Sequence, residues 1–281
     1  MNINWFPGHM LKTKKEINAN IRLVDAVIEM RDARIVISSK NPEIDDLCKD
    51  KPRIILLNKC DLAEDSITKK WCKVLLSDNV SVLAVNCNTG FGINYIKPAL
   101  NSLLKSKHDK LRSKGIKSII DRVMVVGIPN VGKSSFINKI ARNKIARTGN
   151  RPGVTKSKQW IKTRFGMELM DTPGILWPKL ESRETQLNLA FTDAIKDEIM
   201  DTEELALKLI DILSENYGDR IIERYKLDSL SYSAINNIDS IARKRGMLMR
   251  GGEIDYNRVS NMILDEYRSG KFGGISLEIP E

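Results

Sequence analysis

The sequence has few of the residues that build metal, disulfide or membrane-spanning structures. Its four cysteines, Cys48, Cys60, Cys72 and Cys87, lie too far apart for a Cys-x-x-Cys pair, and the only histidines are His9 and His108. Neither a structural zinc nor a disulfide is expected. No apolar run reaches the roughly eighteen residues of a membrane span, and Met1-Asn2-Ile3-Asn4-Trp5 is not followed by the apolar core of a signal peptide. A lipidation motif, an aromatic-rich amphipathic helix, internal repeats and low-complexity segments are also missing. These absences argue for a cytoplasmic protein without a membrane partner. Acid is missing from one long stretch: Arg122 to Met167 holds eleven Lys or Arg and no Asp or Glu. A charge run is usually a solvated face, but one this long without compensating acid points to a polyanionic partner such as RNA.

What is present is ordinary for a globular chain of 281 residues, 42% hydrophobic and 29% charged, enough for one α/β domain and a smaller second one. The net charge of +10 is uneven. Residues 1–196 carry 35 basic against 19 acidic residues, and residues 197–281 carry 11 against 17. Short apolar runs at 26–30, 53–57, 80–85 and 122–126 read as buried parallel strands. Helical patterns lie near 66–76, 92–106 and 134–141, and Leu11–Leu23 reads as a basic helix with Ile17, Ile21 and Val24 on one stripe. Residues 156–164 and 167–170 read as a strand pair turning at Gly166. The lysine-rich stretch Lys105–Lys117 is the candidate linker. Beyond Trp177-Pro178 the pattern is helical only, with a start at Asp201 and Glu204 and further helices at 218–226, 234–245 and 255–268. The expected division is 1–180 for a nucleotide-binding domain and 181–281 for a linker and a small helical domain.

Two motifs stand in an unusual order. Gly127-Ile128-Pro129-Asn130-Val131-Gly132-Lys133-Ser134 follows an apolar strand and opens a helix, the context of a phosphate-binding P-loop. There the backbone amides of Asn130, Val131, Gly132, Lys133, Ser134 and Ser135 are expected to cradle phosphate, Lys133 to reach the β and γ phosphates, and Ser134 to ligate Mg2+. Asn58-Lys59-Cys60-Asp61 ends an earlier strand, where open α/β sheets bind ligands. Asp61 can accept from guanine N1–H and the exocyclic amine, donors adenine lacks, so GTP/GDP is favoured. Lys59 would pack along the base, and Asn58 would brace the P-loop. One strand later, Asn86-Cys87 stands where a backbone amide usually supports guanine O6. Asp171-Thr172-Pro173-Gly174 fits an Asp-x-x-Gly element, with Asp171 at Mg2+ and the Gly174 amide sensing the γ-phosphate. Thr155 is the expected switch threonine on Mg2+. A guanine motif ahead of the P-loop is what circular permutation of one domain produces.

With Trp5-Phe6-Pro7-Gly8-His9-Met10 and Asp32-Ala33-Arg34, these motifs make the whole chain resemble the ribosome biogenesis GTPase A family. The resemblance implies a circularly permuted P-loop GTPase domain followed by a small all-helical domain. It also implies late assembly of the large ribosomal subunit, contact with rRNA and ribosomal proteins of the precursor particle, and release on GTP hydrolysis. Ile175 follows Gly174 where Ras-like enzymes carry a water-orienting glutamine, so the resemblance points to His9 as the catalytic group. His9 could equally cap or pack the first helix. Asn130 matches an asparagine that helps bind K+ in related GTPases. The C-terminal helices, with Arg243-Lys244-Arg245, resemble the RNA-binding domain of bacterial antitermination regulators. A monomer is expected. The alternative reading is a GTP-gated RNA-binding scaffold with negligible hydrolysis.

Overall fold

In the computed structural model, residues 17–48, 51–142, 160–172, 182–195 and 201–281 are described, Asp171 by its backbone alone. His9, Thr155, Gly174 and Ile175 lie outside them. Six strands, β1 (Ala26–Asp32), β2 (Arg53–Asn58), β3 (Val80–Ala84), β4 (Asp121–Gly127), β5 (Trp160–Lys162) and β6 (Met167–Asp171), form one sheet in the order β3-β2-β1-β4-β6-β5. All neighbours run parallel except the β5–β6 pair, which is antiparallel and turns at Gly166. The central strands carry buried apolar residues on both faces because helices cover both.

Alternation along β1 and β4 divides the core. Ala26, Ile28, Met30, Val123 and Val125 face a layer containing Ile93, Ile96, Leu100, Phe136 and Ile137. Val27, Met124 and Val126 face Ile17, Ile21, Val24 and Ile44. The expected Ile17, Ile21 and Val24 stripe therefore lies against the sheet. Helices α1 (Pro42–Leu47), α2 (Asp65–Val74), α3 (Ile96–Leu103), α4 (Lys105–Ser113) and α5 (Lys133–Ile140) alternate with the strands. The lysine-rich stretch does join α3 to β4, but mostly as a helix rather than a bare linker. Its His108 is buried, with Nε2 2.7 Å from the carboxylate of Asp121, and that contact docks the connection on the sheet.

Four helices follow: α6 (Arg183–Phe191), α7 (Thr202–Tyr225), α8 (Ala234–Arg245) and α9 (Tyr256–Arg268). Asp201 caps α7 by accepting from the amides of Glu203 (2.8 Å) and Glu204 (3.3 Å). A separate helix near 218 was expected. Instead α7 runs through it with a kink at Tyr217 (φ −140°, ψ 33°). Residues 182–195 serve both cores, since Leu189, Ala194 and Ile195 pack with the sheet and Ala190 and Phe191 with the helices. Among the described residues no helix is long and apolar enough to cross a membrane.

After α9 the chain returns to the sheet as a strap. Ile275 N–H donates to Leu62 O (2.9 Å), Leu277 N–H to Arg34 O (2.9 Å), and Ser276 Oγ accepts from Glu64 N–H (3.1 Å). Glu278 accepts from the amides of Ile37 and Ser38, from the Ser38 hydroxyl, and from Asn188 Nδ2 of α6. The Trp71 indole donates to Glu278 O (3.2 Å). The strap thus bonds to the loops that follow β1 and β2.

Candidate functional site

The loops at the C-terminal ends of β1, β2 and β4 converge on one edge of the sheet, the edge where ligands of parallel sheets bind. After β4 the chain turns through Asn130 (φ +54°) and Gly132 (φ +106°), and α5 begins at Lys133. Phe136, Ile137 and Ile140 bury one side of α5 and fix its N-terminus over the loop. Lys133 is only 9% exposed; its ammonium donates to Gly127 O (3.0 Å) and Ile128 O (2.7 Å), which aligns it with the loop it would serve. Ser134 is exposed and Ser135 half-buried in the first turn, where amides and helix dipole attract anions.

Asn58 links the two halves of the site. Its Nδ2 donates to Val131 O of the P-loop (2.8 Å), and its Oδ1 accepts from Cys87 N–H (3.0 Å). The second contact ties Asn58 to the loop expected at guanine O6, through the buried Cys87. Asn86 turns the loop, its Oδ1 accepting from the amides of Asn88 (2.8 Å) and Thr89 (3.0 Å). Motif spacing carries no record of which amide in such a loop points inward.

Beyond Asn58, Lys59 takes a left-handed conformation (φ +58°), a strained choice for a lysine that sharply turns the chain. A short turn, Cys60–Leu62, follows and leaves Asp61 exposed, with Cys60 N–H held by Val85 O (3.3 Å). Lys59 Nζ lies 3.1 Å from Asp32 Oδ2 at the end of β1. Arg34 binds the same carboxylate through Nε and Nη2, both at 2.9 Å. Burial alone would raise the pKa of Asp32, but the charges of Arg34 and Lys59 outweigh it and hold the group well below the usual carboxylate range. Burial likewise opposes the charge of Arg34, and Asp32 overrides it, with smaller contributions from Tyr267 and Asp61. Sequence reasoning noticed Asp32-Ala33-Arg34 as a motif but assigned it no role. Burial raises the thiols of Cys60 and Cys87, to about 11 and about 12, so neither is a ready nucleophile.

Asn130, the candidate K+ residue, donates through Nδ2 to Asp193 O just after α6 (2.7 Å); its Oδ1 is the atom a cation would require. For a divalent ion, Ser134 lies in the first turn of α5 while Asp171 ends β6 beside Val125 of β4. Thr172 ties the same corner through its hydroxyl to Val125 O (2.6 Å). Among the described residues no three His, Cys, Asp or Glu side chains cluster around a metal. Ser134 and Asp171, on neighbouring elements, suit Mg2+, which takes one or two protein ligands and completes its shell with phosphate and water.

Gly132 has no room for a side chain. A Cβ there would lie 2.3 Å from Asn58 Nδ2, on a backbone at φ +106°. Gly132→Ala is expected to break the Asn58–Val131 bond, strain the loop and cost about 2–4 kcal/mol. Urea unfolding at equilibrium checks the figure.

Strand order, a P-loop entering α5 and a guanine-type loop from an earlier strand define a circularly permuted P-loop GTPase with a C-terminal helical domain. A family model described as 50S ribosome-binding GTPase matches residues 122–240, which contain the P-loop but not Asn58–Asp61. The chain is 48% identical to ribosome biogenesis GTPase A of Bacillus licheniformis, covering 100% of this chain and 99% of that protein. It is 44% identical to ribosome biogenesis GTPase A of Bacillus cereus, covering 100% and 95%. The crystal structure of GNP-bound YlqF from T. maritima is similar with a TM-score of 0.68 and 28% identity, covering 96% of this chain and 99% of that one. The chain belongs to the ribosome biogenesis GTPase A family. It is a GTP hydrolase.

Proposed function

We propose that the chain binds GTP/GDP with Mg2+ at this edge, acts late in assembly of the large ribosomal subunit, and leaves the precursor particle when GTP is hydrolysed. The nucleotide part rests on one observation, the Asn58 side chain that braces the guanine loop against the P-loop at 2.8 Å. The ribosomal part rests on full-length similarity to proteins of that name. Lys133 and the amides of residues 130–135 take the phosphates, Asp61 and Lys59 the base, while the Asn86–Cys87 loop supports guanine O6 through a backbone amide. Ser134, Asp171 and Thr155 hold Mg2+, which neutralises charge on the phosphate oxygens. Gly174 senses the γ-phosphate, and His9 acts at the attacking water, since Ile175 can neither donate nor accept. Asn130 contributes a K+ ligand that stabilises developing charge. Residues 1–180 form the GTPase unit and 181–281 an RNA-binding unit of a cytoplasmic monomer that contacts rRNA and ribosomal proteins.

Steady-state GTP turnover in potassium buffer, with and without purified large subunits, tests this. Strong stimulation by the particle is expected. Tight GTP binding with no stimulation would instead favour a GTP-gated RNA-binding scaffold, the reading that Ile175 supports.

The helical domain offers a separate test. Arg245 is structural, since its guanidinium lies 5.2 Å from the Tyr225 ring centre and donates to Arg224 O. Arg243 and Lys244 are exposed. Replacing these two with alanine is expected to weaken particle binding and flatten its salt dependence by about two units of log–log slope, with GTP affinity unchanged. Filter binding over a salt series measures this.

A further inference from the structure

The guanine loop is gripped from the side of the helical domain. The Arg34 side chain is buried, and its guanidinium stands 5.3 Å from the centre of the Tyr267 ring in the last turn of α9. Among the described residues neither Arg34 Nη1 nor the Tyr267 hydroxyl has a hydrogen-bond partner. A buried guanidinium with one amino group unbonded depends on the ring face for compensation, and a desolvated cation–π contact is at its strongest. On its other edge the same guanidinium fixes both oxygens of Asp32, and Asp32 in turn anchors Lys59. The strap bonds of Leu277 to Arg34 O and of Ile275 to Leu62 O hold the backbone on either side of this chain of contacts.

We propose that Asp32, Arg34 and Tyr267 are positioning residues for guanine recognition, through which the helical domain sets Lys59 at the base site. This rests on the assignment of Lys59 and Asp61 to guanine. Without the ring, Arg34 loses the contact that compensates its buried guanidinium, Asp32 is no longer fixed from behind, and the lysine must be ordered anew at each binding event. The coupling is reciprocal: whatever draws α9 from Arg34 loosens the base, and a bound base strengthens the docking of α9. This route runs through the base and not through the γ-phosphate, so it acts on GDP as much as on GTP.

Release of a fluorescent GDP analogue, followed by stopped flow, tests the proposal. Tyr267→Leu is expected to speed release about tenfold, whereas Tyr267→Phe, which keeps the ring and loses only an unbonded hydroxyl, releases at the wild-type rate. In a Lys59→Met background the effect of Tyr267→Leu disappears, because it is transmitted through the lysine. Ile241→Val trims the same helical core away from Arg34 and leaves release unchanged. Unchanged release in Tyr267→Leu overturns the proposal, as does equal acceleration by Ile241→Val or a full effect surviving in the Lys59→Met background. If Tyr267→Leu melts below the assay temperature, Arg34→Lys carries the test: it removes the paired hydrogen bonds and the flat stacking group while keeping the charge. Faster release supports the proposal and a wild-type rate overturns it. Competition by ADP against wild-type protein separates the levels. Equal competition by ADP and GDP defeats the guanine assignment itself, whereas a guanine preference with unaltered Tyr267→Leu release defeats only the positioning role.

Discussion

Asp61→Asn converts the protein from a guanine to a xanthine nucleotide binder. Asp61 is exposed at the end of a short turn whose direction is fixed by the left-handed Lys59 and by the Cys60–Val85 hydrogen bond. Its carboxylate has acceptors only, and guanine presents two donors, N1–H and the exocyclic amine. Two charge-assisted bonds of about 1.5–3 kcal/mol each are at stake, so the loss of GDP affinity is at least about 100-fold. Asparagine keeps one acceptor and adds a donor, and xanthine replaces the exocyclic amine with an acceptor oxygen. The variant should therefore bind XDP more tightly than GDP, and wild type the reverse. Calorimetric titration of both proteins with both nucleotides is the check. An Asp61→Asn protein that retains wild-type GDP affinity would mean that the base lies elsewhere.

The parts of this molecule that were legible in the sequence are those whose signal is local. β1, β2 and β4 appear as apolar runs because both faces of the sheet are covered. The P-loop is readable because one strand, one turn and one helix carry it within a short stretch. The Asp201 cap and the Gly166 turn are likewise short-range. The bond from the Cys87 amide to Asn58 was not foreseen because the two lie 29 residues apart in the chain. The kinked α7 was read as two helices because Asn216-Tyr217-Gly218 combines weak helix formers, yet packing of Leu213 and Ile221 into one core carries the helix across them. The strap was not anticipated. Its bonds to Arg34 and Leu62 are long-range backbone contacts, and Gly273-Gly274 reads locally as a plain loop. Gly274 has a reason found only in three dimensions, since a Cβ there would lie 2.4 Å from Ala63 O. Asp32-Ala33-Arg34 shows the same limit, because its partners Lys59 and Tyr267 come from a different strand end and a different core.

Lys133→Ala should nearly abolish turnover. The Lys133 ammonium is held against the P-loop by the Gly127 and Ile128 carbonyls, at the N-terminus of a helix that already presents amides to an anion. With the cation gone, the nucleotide phosphates keep the amides but lose the one mobile-length positive charge that the loop itself supplies. In an enclosed site, such a preorganised donor is worth about 100- to 1,000-fold in rate. The two carbonyls also lose their donor, so the loop is expected to be less rigid. Lys133→Arg should fare little better: the wild-type side chain is 9% exposed, and a planar guanidinium cannot take the place of a compact ammonium between two carbonyls of one tight loop. Because Asp61 and Lys59, the proposed base contacts, lie on another loop, GDP affinity should fall by less than turnover does. Parallel measurement of GDP binding and single-turnover hydrolysis distinguishes this pattern from unfolding, which would remove both together. Weaker GDP binding with an unchanged single-turnover rate at saturating GTP would show that Lys133 acts on ground-state binding alone and does not favour the transition state.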